Sequence, residues 1–174
     1  METMDCIKTR RSRRLFLDKE IPKESINSII ECAISAPSSM DCQPWHFVII
    51  ENKKIKNKLA KLKTEDNQQH ILTAPISIIV CVDIKKSSKR YIEDGITATE
   101  NILLATHNLG LGSVYITGFN PSKKEVEEEI KNILSLPENI IPITILPIGY
   151  PNPSEKLEDK KLIDSEKVIH YDKW

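Results

Sequence analysis

The chain has 174 residues, 40% of them hydrophobic, with 25 basic side chains against 25 acidic ones and a formal net charge of zero. Such a length fits one domain that buries its own core, and the charge balance supplies no global field to draw nucleic acid or anionic lipid, so neither is expected as a partner. The longest apolar run, Ile76 to Val82 with Ser77 inside it, falls far short of the roughly 20 residues a bilayer needs, and the N-terminus offers no basic stretch followed by an apolar one. A cytoplasmic chain is expected.

Cys6, Cys32, Cys42 and Cys81 form no CxxC pair and show no metal-ligand spacing, so free thiols and no metal site are expected. Cys32 and Cys81 lie in apolar patterns and read as core fillers.

After a short N-terminal helix, Ile26, Ile29, Ile30, Ala33 and Ile34 make one apolar helical face between Pro22, which opens the helix, and Pro37, which closes it. Pro37 to Pro44 is a loop of turn-formers, and WHFVIIE carries a buried-strand signal. Asn52 to Lys63 predicts a charged surface helix and APISIIVCVDI a central strand. Tyr91 to Leu109 is the longest helical pattern, with Ile92, Ile96, Thr99, Leu103, Thr106 and Leu109 along one side and glycines as stops. SVYITGF reads as a short strand, and Ser122 with Glu125 as a capping box for a helix to about Leu134. NIIPITILPIGY is the last core strand, its Pro142 and Pro147 pointing to bulges or an edge. A polar stretch from Tyr150 then ends in a β-like apolar patch, KVIHYDKW, that needs a surface to pack on, on its own or a second subunit. This alternation suggests α/β layers around a small sheet. No strand is followed by a GxGxxG or Walker-type loop, so any anion is bound by other means.

Arg10, Arg11, Ser12, Arg13 and Arg14 place four guanidinium groups and a hydroxyl in five residues. Guanidinium forks suit phosphate oxygens, and on a neutral protein such a cluster points to one particular phosphate. By composition alone it reads equally as a solvated basic patch or a nucleic-acid tail. His46, His70, His107 and His170 are isolated, and His46 reads as structural. Trp45 and Trp174 read as packing anchors.

RRSRRLF together with APSSMDCQPWHFVII resembles the paired N-terminal signatures of the nitroreductase family, commonly written RRSxRxF and APSxxNxQPWxF. The similarity continues through ENILLATHNLGLGS, the GF turn, IGYP and the closing VIHYDKW, in order over nearly the whole chain. The resemblance implies a nitroreductase-like α+β fold with a central mixed sheet flanked by helices. It also implies an arm-exchanged homodimer holding FMN at its interface: residues 1–149 would form the FMN-binding core and residues 150–174 an arm packing on the partner subunit. NADH or NADPH would be the electron donor and a nitroaromatic, quinone or similar small electrophile the acceptor, in a ping-pong cycle.

By the same resemblance Arg10, Arg11, Ser12 and Arg14 would serve the FMN phosphate, ribityl chain and pyrimidine edge, with Arg13 pointing elsewhere. Lys160 or Lys161 matches a basic position that closes on the phosphate, the spacing there being one residue out of step. Pro37, Ser38, Ser39 and Met40 match a loop that reaches the flavin from the other subunit, and Gln43 keeps the usual residue. Asp41 departs from it, standing where most members have asparagine. An ionised carboxylate accepts but does not donate, so it should disfavour negative charge on reduced flavin and lower the potential, unless it turns outward. Thr117 and Gly118 match the turn whose backbone amide faces flavin N5, the glycine allowing close approach. No side chain is expected to be catalytic, because flavin N5 receives the hydride. Three alternatives stand beside this reading: a non-catalytic FMN carrier or sensor, a different flavin reaction on the same fold, and nucleic-acid binding through the arginines.

Overall fold

The computed structural model describes residues 1–62, 69–118 and 124–174. Helices α1 (Thr3–Thr9), α2 (Lys23–Ile34), α3 (Lys53–Lys61), α4 (Gln69–Thr73), α5 (Tyr91–Asn108) and α6 (Lys124–Leu134) interleave with five strands. These are β1 (Trp45–Ile50), β2 (Ile76–Asp83), β3 (Gly112–Ser113), β4 (Ile116–Thr117) and β5 (Ile140–Gly149). The expected capping box at Ser122 lies outside the described residues, although the helix it would open is present as α6.

Sheet order explains which strands are continuously apolar. The strands run β1-β2-β5-β3, with β4 pairing further along the same edge of β5. β2 and β5 are interior, and with α2 and α5 on one face and α3, α4 and α6 on the other they are covered on both sides, which favours apolar residues at nearly every position rather than alternate ones; Ser77 and Thr144 are the buried polar exceptions. Ile78 and Val80 of β2 and Leu146 and Ile148 of β5 face α2 and α5, where they meet Ile29, Ala33, Ala98 and Ile102. Ile79, Cys81 and Ile145 face the opposite layer, against Leu59, Ile71 and Ile130. Among the described residues no helix is long and apolar enough to cross a membrane.

Several expectations need correction. Every pairing between named strands is antiparallel; the one parallel contact among the described residues is the isolated bridge between Ser12 and Ser113, so the expected mixed sheet is mixed only there. β1 is an edge strand with His46 and Ile49 exposed, because no strand among the described residues pairs beyond it, rather than a buried one. The described part of SVYITGF contributes to two short pairings, at Ser113 and at Ile116–Thr117, instead of one strand, and Phe119 lies outside the described residues. β5 is not an edge, and only one of its two prolines sits at an irregularity: Val80 opposes Thr144 and Cys81 opposes Pro142, leaving Ile143 as the extra residue, whereas Pro147 opposes Ser77 in regular register. A proline has no amide hydrogen for the ladder, and the bulge absorbs that loss. Cys32 is exposed, whereas Cys6 and Cys81 are buried. Ile34 closes the expected face of α2 and Leu109 that of α5, and both are exposed, as is Ile96 within the latter.

The first part of the C-terminal tail packs on its own chain. Residues 150–160 lie on their own subunit, beside the segment between α1 and α2. Leu17 N donates to Tyr150 O at 2.9 Å, Asn152 N to Leu15 O at 2.9 Å, and Lys160 Nζ to Lys8 O at 2.9 Å. Only beyond Lys160 does the tail leave the chain's surface, exposing Leu162 (79%), Tyr171 (86%) and Trp174 (101%). The closing patch contains a 3-10 turn at Ser165–Lys167 in place of a strand, and Trp174 stacks on His170 with ring centroids 4.3 Å apart rather than anchoring in a core.

Candidate functional site

The arginine segment is threaded between β3 and the tail. Arg13 N donates to Ser113 O at 2.9 Å, which places Ser12 in its bridge with Ser113. Gly112 permits that approach, since a Cβ there would stand 2.7 Å from Arg13 Cβ. The other flank is Glu155, whose Oε1 accepts Arg14 N at 2.7 Å while Oε2 lies 3.6 Å from Arg13 Nη1. Arg11 Nη2 donates to Glu158 O, and Lys160 reaches the carbonyl two residues before Arg10. Lys161 is exposed.

Arg10 is the informative member. Its Nε lies 3.6 Å from Glu100 Oε1, beyond hydrogen-bond distance, and is buried with no hydrogen-bond partner. A buried guanidinium N–H without an acceptor is costly, and an anionic ligand would supply one. Beside it, Thr9 Oγ1 donates to Asp5 O at 2.6 Å and lies 2.9 Å from His107 Nε2. With its proton already given to Asp5, that hydroxyl accepts from His107, which fixes the Nε2–H tautomer. Burial holds His107 below the ordinary histidine value, and the charges of Arg10 and Arg13 push it in the same direction.

Pro37 to Gln43 forms the second cluster. Met40, Asp41 and Gln43 have φ of 54°, 52° and 45°, a left-handed conformation that non-glycine residues adopt only at a cost of about 1–3 kcal/mol each. Local bonds offset part of it: Ser38 Oγ accepts Gln43 N at 3.0 Å, and Asp41 Oδ1 accepts Gln43 Nε2 at 3.0 Å. A carboxylate only accepts, so Gln43 must turn its NH2 toward Asp41 and present its carbonyl oxygen outward. Asp41 is exposed, and its carboxylate is engaged within the loop. Met40 stands 96% exposed at the tip.

The loop is tied to the first two turns of α5, at Asp94 and Thr97, whereas Arg10 meets Glu100 and the neighbouring Thr9 meets His107 of the same helix. At 1.5 Å per residue the two attachment regions are roughly 12 Å apart. Thr117 and Gly118 follow on the β5 edge. Gly118 N donates to Ile143 O at 2.8 Å, so this amide is already committed to the sheet. A Cβ on Gly118 would come within 3.2 Å of the Ile143 backbone, so the glycine here permits close approach to β5.

Asp94, Thr97, Glu155 and His107 were not legible as site residues. An acid in the first turn of a helix has an ordinary reason to be there, through the helix dipole, and Glu155 sits in a polar tail like its neighbours. Only the long-range contacts single them out. Among the described residues no group of three His, Cys, Asp or Glu side chains is placed to hold a metal ion.

The sequence profile of the nitroreductase family matches residues 7–74 and 63–150. A protein of Methanothermobacter thermautotrophicus, provisionally named NADH dehydrogenase/NAD(P)H nitroreductase, is 38% identical over 100% of this chain and 88% of its own length. A crystal structure under the same provisional name from Parabacteroides distasonis superposes with a TM-score of 0.90 at 31% identity, covering 99% of this chain and 98% of the other. An FMN-dependent nitroreductase from Clostridium difficile gives a TM-score of 0.86 at 29% identity, covering 98% and 99%.

Proposed function

The chain belongs to the nitroreductase family, and from that premise we propose that it is a cytoplasmic FMN-dependent oxidoreductase, taking electrons from NADH or NADPH as a homodimer. The observation that carries the cofactor is Arg10: a buried guanidinium N–H lacking an acceptor, inside a run of four arginines on a chain of zero net charge. Arg10, Arg11, Ser12 and Arg14, with Lys160 or Lys161, would hold the phosphate, ribityl chain and pyrimidine edge by charge-assisted bonds. Bound FMN supplies hydride acceptance from the nicotinamide and onward delivery to a nitroaromatic, quinone or other electrophilic acceptor.

The residues of the chain bind and orient. Pro37, Ser38, Ser39 and Met40 would form a wall of the partner's pocket. Gln43 would offer a carbonyl oxygen to a ring N–H, its amide being turned by Asp41. Thr117 and Gly118 would support the ring from the β5 edge, with the Gly118 amide held by Ile143 rather than aimed at N5. No side chain is given a catalytic role.

The homodimer is supported by the tail. Leu162, Ile163, Val168, Ile169, Tyr171 and Trp174 are all exposed on the single chain, a stretch too apolar to be left to water. Residues 161–174, rather than 150–174, would make the exchanged arm, since residues 150–160 are already bound to their own subunit. The test is FMN titration of the apoprotein, followed by quenching of flavin fluorescence, on the full chain and on a chain ending at Lys160. Tight binding by a dimeric full chain and weak binding by a monomeric truncate are expected; a monomeric truncate that retains FMN would remove the two-chain site.

A further inference from the structure

We propose that Asp94 is the positioning residue of the flavin-facing loop, a buried carboxylate that holds Ser39–Gln43 in its strained shape before any cofactor arrives. The inference rests on the FMN reading for its functional meaning, though not for its geometry.

Asp94 lies in the first turn of α5 and is 3% exposed. Helix-dipole complementarity accounts for its exposed neighbour Glu93 but not for a carboxylate withdrawn from water, which is costly unless paired or well hydrogen-bonded. Asp94 does not serve its own helix end. Oδ1 accepts the backbone amide of Ser39 at 2.8 Å, and Oδ2 accepts the Ser87 hydroxyl at 2.6 Å with the Cys42 thiol at 3.8 Å. Its main-chain carbonyl accepts Trp45 Nε1 at 2.7 Å. One helical turn on, the Thr97 hydroxyl lies 3.0 Å from Pro37 O and 2.8 Å from Asp94 O, sharing one proton between two acceptors.

Ser39, Cys42 and Trp45 are thus all fastened to one residue, and the segment between them contains the left-handed Met40, Asp41 and Gln43. Without the clamp the loop would relax from three disfavoured conformations, and Met40 and Gln43 would lose their directions. A loop ordered in advance does not charge its ordering entropy to ligand binding.

Amide hydrogen exchange on FMN-free protein, for wild type, Asp94→Asn and Asp94→Ala, separates this role from general stability. Asparagine is isosteric and keeps one acceptor oxygen; alanine keeps none. Ser39 and Gln43 amides should exchange progressively faster from wild type to Asn to Ala, while Ile102 in the middle of α5 keeps its protection. FMN should then bind on the order of tenfold more weakly to Asp94→Ala. Unchanged Ser39 protection in Asp94→Ala, or a Ser39 amide already unprotected in wild type, would overturn the proposal. So would loss of Ile102 protection in both variants, since Asp94 would then serve the core and not the loop. Wild-type protein that binds no FMN would overturn the proposed function instead, leaving the exchange data to decide the role of Asp94.

Discussion

Glu155 accepts the backbone amide of Arg14 at 2.7 Å across 141 positions of sequence, joining the start of the C-terminal tail to the arginine segment. The same carboxylate faces Arg13, so Arg13 is turned toward the tail and Arg14 is fixed through its main chain while its side chain stays exposed. Replacing Glu155 with alanine leaves the Arg14 amide without its acceptor and frees both residues. We expect FMN affinity to fall about tenfold, the scale of one charge-assisted bond, with the melting temperature nearly unchanged. Glu155→Gln, which keeps the acceptor oxygen, should recover most of the loss in a fluorescence titration.

Asp41 should tune the flavin. Asp41→Asn removes a negative charge from the loop and lets the Gln43 amide turn either way, because asparagine both donates and accepts. The midpoint potential should rise by on the order of 30 mV, the two-electron equivalent of about 1.4 kcal/mol. Equilibration with redox dyes reads this directly, and an unchanged potential would mean that Asp41 acts only within its own loop.

Gly95 and Ile143 meet where α5 crosses the β5 bulge. Alanine is favoured over glycine inside a helix by about 1 kcal/mol, yet a Cβ at Gly95 would stand 2.6 Å from Ile143 Cγ1, which belongs to a buried, β-branched and stiff side chain. Overpacking of this kind costs about 1–3 kcal/mol. Gly95→Ala should therefore lower the denaturation midpoint, and it should do so less in an Ile143→Ala background, where both γ carbons that the new Cβ meets are gone.

Much of this architecture can be read from periodicity. Most of the faces of α2 and α5 and the largely apolar runs of β2 and β5 follow from local spacing, and the order of elements follows with them. What resists reading is set by distant partners. β1 looks like a buried strand because its composition does not reveal that it lies at the edge of the sheet among the described residues. Pro142 announces an irregularity, but whether at an edge or inside the sheet depends on β3 and β4 arriving alongside. At the site, the arginines and the Pro37–Gln43 loop are legible as chemistry, whereas Asp94 and Glu155 are visible only once the chain has folded back on itself.

His107 supplies a pH dependence. Its proton affinity in the folded chain lies below the ordinary histidine value of 6.5, so between the two values the unfolded chain binds more protons than the folded one. Its contribution to stability is present above about pH 6.5 and is lost as pH falls through the lower folded value. The melting temperature should drop as the protein is acidified below that point. His107→Gln, which retains an N–H for Thr9 and cannot charge, should flatten the drop; an identical slope in the variant would assign it to other groups.

The central claim is tested most directly by the visible absorption spectrum of the FMN-reconstituted protein under argon, on addition of NADH and then NADPH. The flavin band near ~450 nm should bleach with at least one donor and return when a quinone or nitroaromatic is added. A flavin-bound protein that neither donor bleaches would contradict a nicotinamide-driven reductase and favour a carrier or another flavin reaction. A protein that cannot be reconstituted with FMN would contradict the cofactor assignment itself.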